Sequence, residues 1–302
     1  MPIAHHKGNE FLALPAEFAR RENARVLVLP IPYEATTTYG RGTVRGPRAI
    51  IEASSQVEFF DEIHRDEPCR GGIHTLPPFD CRGTPEDVLD RLAREAENLA
   101  REGRFLLSLG GEHSLTVGAV EGVVRALGPL TVVQVDAHAD LREEYEGSRL
   151  NHACVMRRIA ESHPIVEVGI RALSVEESGF LDESGAPVVF ATEIRAARWT
   201  GMGSRAEGGG WVARTMGAIK TDRVYLTFDL DGLDPSIMPA VGTPEPGGLL
   251  WDEALAFIEA LFKSKDVVAA DLVELCPING LTAPDFLAAR LAYKIAGHAA
   301  RA

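Results

Sequence analysis

The chain has 302 residues, 45% of them hydrophobic, which is enough for one large α/β domain with a sizeable core and too apolar for disorder. Its 31 Lys and Arg against 44 Asp and Glu leave a net charge of −13; that balance argues against a nucleic-acid backbone as partner and leans toward small cationic molecules, although solubility alone accounts for most of it. No apolar run approaches the roughly 18 residues of a membrane span, and the opening MPIAHHKGNE lacks the apolar stretch of a signal peptide, so a cytoplasmic protein with no membrane partner is expected.

In chain order, His5 and His6 come first and read as solvated surface residues, since no other ligand type lies near them. Short apolar, β-branched runs then recur: RVLVLP from Arg25, RFLLSLG from Arg104, LTVVQVD from Leu130, PIVEVGI from Pro164, PVVFAT from Pro187, RVYLTFD from Arg223 and DVVAADLVEL from Asp266. None shows clean polar alternation, which suits strands covered on both faces. Between them lie helical stretches. The clearest is 85–102, with Thr84 as N-cap, Pro85 in the first turn, two early acids, and Val88, Leu89, Leu92, Ala96 and Leu99 at helical spacing. Further helices are expected after Gly46-Pro47, Ser114, Ala153, Ser174, Trp251 and Thr282, and the glycine-rich stretch 200–210 reads as a loop. Strand and helix alternate from end to end with no repeat and no linker, so the expected fold is a single α/β domain over 1–302, a mostly parallel sheet with helices on both faces. Cys69, Cys81, Cys154 and Cys276 form no CxxC pair and read as ordinary reduced thiols.

Ligands of parallel sheets gather at the carboxyl ends of the strands. Four chemistry-bearing motifs fall there: GGEHS with His113, DAHAD with Asp136, His138 and Asp140, DLDGLDP with Asp229 and Asp231, and DLVELCP with Glu274. In DAHAD, an extended chain would point all three side chains to one side. Packing them together without a cation would impose repulsion and desolvation. The bland alternative is a helix-capping Asp140, an Asp136 accepting backbone hydrogen bonds and an interior His138. For His113 it is a glycine turn followed by a cap at Ser114. Asp-x-Asp-Gly after a strand also opens the active site of haloacid-dehalogenase phosphatases. Here, however, only about seventy residues follow Asp231, no acidic pair comes after Lys263 and Lys265, and GGEHS and DAHAD would have no role. Four aspartates and two histidines, with no thiolate, suit manganese better than structural zinc, and six such ligands suit a pair of ions. Two ions about 3.5 Å apart can share a water and present hydroxide at neutral pH.

These motifs, together with GRGTVRGPRAI, GTPEPGGL and LTAPDFLAARL, resemble the arginase, agmatinase and formiminoglutamase family, the ureohydrolases, over almost the whole chain, and the agmatinase branch in particular. The resemblance implies a three-layer αβα fold of the arginase/deacetylase type and two Mn2+ per subunit. His113 and Asp136 would hold one ion and His138 and Asp231 the other, with Asp136, Asp140 and Asp229 shared or nearly so. A metal-bridging hydroxide would attack the guanidinium carbon, and Asp140 would pass the proton to the leaving amine. His152 matches the family histidine that shuttles protons, and Glu274 the acid that orients the guanidinium. On residue type alone, each is as well read as a surface histidine and a strand-end cap.

The implied activity is agmatinase, releasing putrescine and urea in polyamine biosynthesis. Alternatives are hydrolysis of guanidinobutyrate, guanidinopropionate or arginine, or a non-catalytic relative. Arginases carry an asparagine two positions before the substrate-side histidine, where this chain has Leu150. Asn151 departs from the serine common among agmatinases and puts the loop's shape in question. Relatives form homotrimers or pairs of trimers, so a homotrimer or homohexamer is the expected assembly.

Overall fold

The computed structural model describes residues 10–200 and 210–301. His5, His6 and most of the glycine-rich stretch lie outside them. Eight strands form one sheet: β1 (Val26–Ile31), β2 (Ile73–Thr75), β3 (Phe105–Gly110), β4 (Thr131–Val135), β5 (Ile165–Ile170), β6 (Val188–Phe190), β7 (Arg223–Asp229) and β8 (Asp266–Val273). Their order is β2-β1-β3-β8-β7-β4-β5-β6, and every pairing is parallel. The helices are α1 (Ala16–Ala19), α2 (Gly46–Ser54), α3 (Pro85–Ala100), α4 (Thr116–Leu127), α5 (Val155–Ala160), α6 (Val175–Ser184), α7 (Ala191–Thr200), α8 (Trp211–Ala218), α9 (Trp251–Ser264) and α10 (Ala283–Ala299).

The continuous apolar runs are explained by burial on both faces. Along β1, Val26 and Val28 join one core with Ile50 of α2, Phe257 of α9 and Leu291 of α10, while Leu27 and Leu29 join a second with Leu92 of α3, Ala119 of α4 and Ile159 of α5. The result is three layers, helices over sheet over helices, as expected. All seven anticipated strands are present. The eighth, β2, is a three-residue edge strand in a segment whose Gly71-Gly72 and Pro77-Pro78 hid it. Helices α7 and α8 were also not anticipated.

Local chemistry sets the helix starts. The Thr84 hydroxyl accepts from the Asp87 amide, and Ser174 with Glu177 forms a capping box at the start of α6. Helices α3 and α4 approach closely because α4 carries glycine at the contact: a Cβ on Gly122 would lie 2.2 Å from the Ala93 carbonyl oxygen. Among the described residues no helix is long and apolar enough to cross a membrane. The four cysteines are free thiols, with Cys69 and Cys154 buried.

Candidate metal centre and substrate pocket

The four central strands β3, β8, β7 and β4 lie side by side, and each delivers one motif to the same mouth. Gly111 brings the first of them close: a Cβ there would lie 1.9 Å from the Tyr33 carbonyl oxygen, so only glycine lets the β3 end cross that loop. His113 follows in a short 3-10 turn and is 1% exposed.

One nitrogen of His113 faces three carboxylates. Its Nδ1 lies 3.1 Å from Asp136 Oδ2, 3.1 Å from Asp140 Oδ2 and 3.3 Å from Asp229 Oδ2. A single ring N–H can serve one acceptor, and this buried Nδ1 has no aligned hydrogen bond with any of them. Its other nitrogen is spoken for: Nε2 lies 2.8 Å from the Thr227 hydroxyl, which donates to Asp271 at 2.6 Å. Because Thr227 gives its proton to a carboxylate, it accepts from Nε2–H, so a neutral His113 would direct its Nδ1 lone pair at the acids. Asp271 also accepts from the Thr116 and Tyr225 hydroxyls, at 2.8 and 2.7 Å.

A second group adjoins the first. His138 Nδ1 lies 3.0 Å from Asp231 Oδ2 and 3.6 Å from Asp136 Oδ1. The potential ligands therefore fall into two triads, His113–Asp136–Asp140 and Asp136–His138–Asp231, which share Asp136. Asp229 touches the first and caps the turn that carries Asp231, its Oδ1 accepting from the Asp231 amide at 2.8 Å.

The electrostatics identify what these residues fit. Burial, and then the charges of Asp231 and Asp136, hold Asp229 well above the usual carboxylate range. Burial and Asp136 push Asp140 up to about 7. Burial and Asp136 likewise raise Asp231. Asp136 is depressed despite its burial, because His113 and His138 flank it. Both imidazoles are raised against the opposing effect of burial, His113 by Asp136, Asp140 and Asp229, and His138 to about 12 by Asp231 and Asp136. Without a cation, protons supply the positive charge that four enclosed carboxylates require. Hard oxygen donors, two imidazole nitrogens and an orphaned, correctly tautomerised Nδ1 fit a pair of divalent ions such as Mn2+.

Asp136, His138 and Asp140 do converge, but not from an extended chain. Strand β4 ends at Val135, the Asp136 carboxylate folds back to accept the His138 amide at 2.6 Å, and Asp140 has φ +52°. Convergence comes from a turn ending in a left-handed residue. Glu274 is also left-handed, at φ +68°. Both are non-glycine residues in a sparsely populated region, a strain that clusters at functional sites. Glu274 Oε1 accepts from the His113 amide at 2.7 Å, and the residue lines a cavity of about 230 Å3 with His138, Asp140, His152, Thr243 and Glu245.

His152 is half-buried on the cavity wall rather than out on the surface. Its amide donates to the Thr36 hydroxyl at 2.9 Å, while its Nε2 is buried without a partner. Burial depresses its pKa, which favours the neutral ring. Asn151 answers the question about the loop: its side chain accepts from the Ala153 amide and caps the turn at His152–Cys154, as a serine would.

Three supporting residues were not anticipated. Glu112 is fully buried and accepts from the Ala35 and Thr36 amides and from the Thr36 and Ser114 hydroxyls, tying the loop that holds His152 to the GGEHS turn. Arg171 donates to the carbonyls of Asp231, Leu233 and Glu245, stitching the DLDGLDP turn to the TPEPGG segment. Asp234 accepts from the Gly247 and Gly248 amides, which makes it a loop organiser.

The model of the "Arginase family" matches residues 24–297. The chain belongs to the arginase family. It is 41% identical to the N(1)-aminopropylagmatine ureohydrolase of Synechocystis sp., covering 97% of each chain. It is 37% identical to the protein of the same name from Thermus thermophilus, over 91% of this chain and 90% of the relative. The solved agmatine ureohydrolase of Thermoplasma volcanium superimposes with a TM-score of 0.83 at 30% identity, covering 97% of this chain and 94% of that one. The fold is therefore that of the arginase family, and the chain is a hydrolase of guanidino compounds.

Proposed function

We propose that this enzyme is a manganese-dependent ureohydrolase of guanidino-polyamines, with N1-aminopropylagmatine as its substrate. The observation that carries the reading is the pair of His/Asp triads sharing Asp136 at the floor of a cavity that also presents Glu274 and His152.

His113, Asp136, Asp140, Asp229, His138 and Asp231 would hold two Mn2+. When bound, the ions neutralise the buried carboxylates and supply a water activated for attack at neutral pH. The chain's own groups handle the substrate. A guanidinium remains protonated to about pH 12 or above and is best gripped by paired charge-assisted hydrogen bonds. Glu274 supplies a carboxylate whose geometry is fixed by the His113 amide. Addition of water at the guanidinium carbon is followed by breakage of one C–N bond; the oxygen leaves with urea, and the departing nitrogen needs a proton. Asp140 carries that proton from the water to the leaving amine. His152, neutral and with a free Nε2, exchanges protons between the pocket and the outside.

Two observations support the aminopropyl form. Relatives at 41% and 37% identity carry that name. Glu245 also lines the cavity, and no ion pair or hydrogen bond engages its carboxylate among the described residues, so it is available to an ammonium group. Agmatine is the second reading, favoured by the similarity to the Thermoplasma volcanium structure.

The test is urea release by the Mn2+-loaded protein from N1-aminopropylagmatine, agmatine, guanidinobutyrate and arginine. The expected order of kcat/KM is the order given. A preference for arginine contradicts the substrate reading, and absence of urea from all four contradicts the activity.

A further inference from the structure

One row of the sheet beneath the site is polar. Ser108 of β3 pairs with Asp271 of β8, which pairs with Thr227 of β7, which pairs with Gln134 of β4, which pairs with Glu167 of β5. All five are buried with 0% exposure. The Asp271–Thr227 half of this row fixes the His113 ring. The Gln134–Glu167 half has no role in the activity described above.

Its hydrogen bonding is incomplete in a specific way. Gln134 Nε2 donates to Asp136 Oδ2 at 2.7 Å, while Gln134 Oε1 is buried without a partner. Directly across the ladder, both carboxylate oxygens of Glu167 are buried without partners. Paired positions on adjacent strands project to the same face about 4.8 Å apart, so these orphans are neighbours. No cationic side chain pairs with Glu167 among the described residues, and the charges nearest to it, Asp136, Asp140 and Glu177, are all acidic. For Gln134 to satisfy an ionised Glu167, its amide nitrogen would have to turn toward the carboxylate. That flip would set Gln134 Oε1 against Asp136 Oδ2, acceptor against acceptor. A neutral Glu167 has one O–H donor, and directly across the ladder Gln134 Oε1 is an orphan acceptor to receive it; the row's other orphan, Ser108 Oγ, lies at its far end on β3.

Resting on the metal-site reading above, we propose that Glu167 is a neutral acid that donates to Gln134 Oε1 and locks the Gln134 amide so that its nitrogen positions the shared ligand Asp136. Glu167 and Gln134 are positioning residues, acting on metal affinity through Asp136. Burial, reinforced by Asp136, Asp140 and Glu177, holds the Glu167 carboxyl well above its ordinary range, in agreement with that state.

The experiment measures Mn2+ affinity by calorimetry on metal-free full-length protein, alongside circular dichroism to establish folding. Glu167→Gln replaces the O–H donor by an amide N–H and is expected to keep the affinity within about two-fold. Glu167→Ala removes the donor and is expected to weaken it by about ten-fold, as outer-layer partners of metal ligands generally do. Gln134→Leu should weaken binding similarly, and the double variant should add little, because both act on one contact. The infrared difference between wild type and Glu167→Gln at neutral pH should contain a neutral carboxylic-acid carbonyl band. Carboxylate bands there, wild-type affinity in Glu167→Ala, or additive losses in the double variant would overturn the proposal. Failure of the wild type itself to bind Mn2+ would instead overturn the metal-site reading.

Discussion

The two triads differ in how they meet solvent and in what stands behind them. The His113 side chain is 1% exposed, faces three carboxylates, and is braced through Thr227 and Asp271. The His138 side chain is 27% exposed, faces two, and lines the cavity. An ion in the inner triad would be held by the more enclosed histidine with its tautomer pre-set, whereas an ion in the outer triad would meet the cavity through His138 as well. The two positions would therefore differ in how readily they release an ion, with Asp136 belonging to both.

Asp136→Asn removes the charge the triads share and should erase the distinction. Metal ions contribute several kcal/mol of transition-state stabilisation in such sites, so kcat is expected to fall by about 1,000-fold or more. Urea release and metal content, measured together, check it. Separating the halves is sharper. His138→Ala should retain about one Mn2+ per chain after gel filtration, whereas His113→Ala should retain less, because three enclosed acids then lose the imidazole they share. Metal analysis with the opposite ranking would invert the comparison.

Glu274→Ala leaves both triads intact, since Glu274 meets the cluster only through the His113 amide. Loss of a charge-assisted hydrogen bond to substrate is expected to lower kcat/KM about 10- to 100-fold with bound metal unchanged.

How much of this was legible beforehand depended on whether a feature is local. Seven strands and the capped helix at Pro85 were readable because apolar runs, Thr84 and Pro85 act within a few residues. The short β2 was not, since its Ile73–Thr75 become a strand only by pairing with β1. The candidate ligands were legible as strand-end motifs, but not the left-handed turn at Asp140 that helps gather them. Glu112, Arg171 and the Gln134–Glu167 pair were out of reach because their partners lie far away in sequence and meet only once the sheet is in register.

Metal removal exposes the cluster's proton dependence. Asp140, raised from 3.8 to about 7, and His138, raised from 6.5 to about 12, both bind protons more tightly folded than unfolded. The stability they contribute is present at low pH and falls as pH rises, through roughly 4–7 for Asp140 and above 6.5 for His138. The depressed Asp136 contributes fully above 3.8 and does not change in that window. The metal-free Tm should therefore drop between pH 6 and pH 8 while the Mn2+-loaded Tm holds, widening the gap by about 5 °C. Thermal scans with and without chelator at both pH values decide it. The smallest effect expected is that of Asn151→Ser, which keeps the cap on the His152 turn and should leave kcat/KM within about two-fold.

The most direct test is an anomalous difference map at the manganese edge from crystals grown with Mn2+. Two peaks per chain are expected, one bounded by His113, Asp136 and Asp140 and the other by Asp136, His138 and Asp231, with the inner peak the stronger after a brief chelator soak. A single peak, or density away from Asp136, contradicts the account.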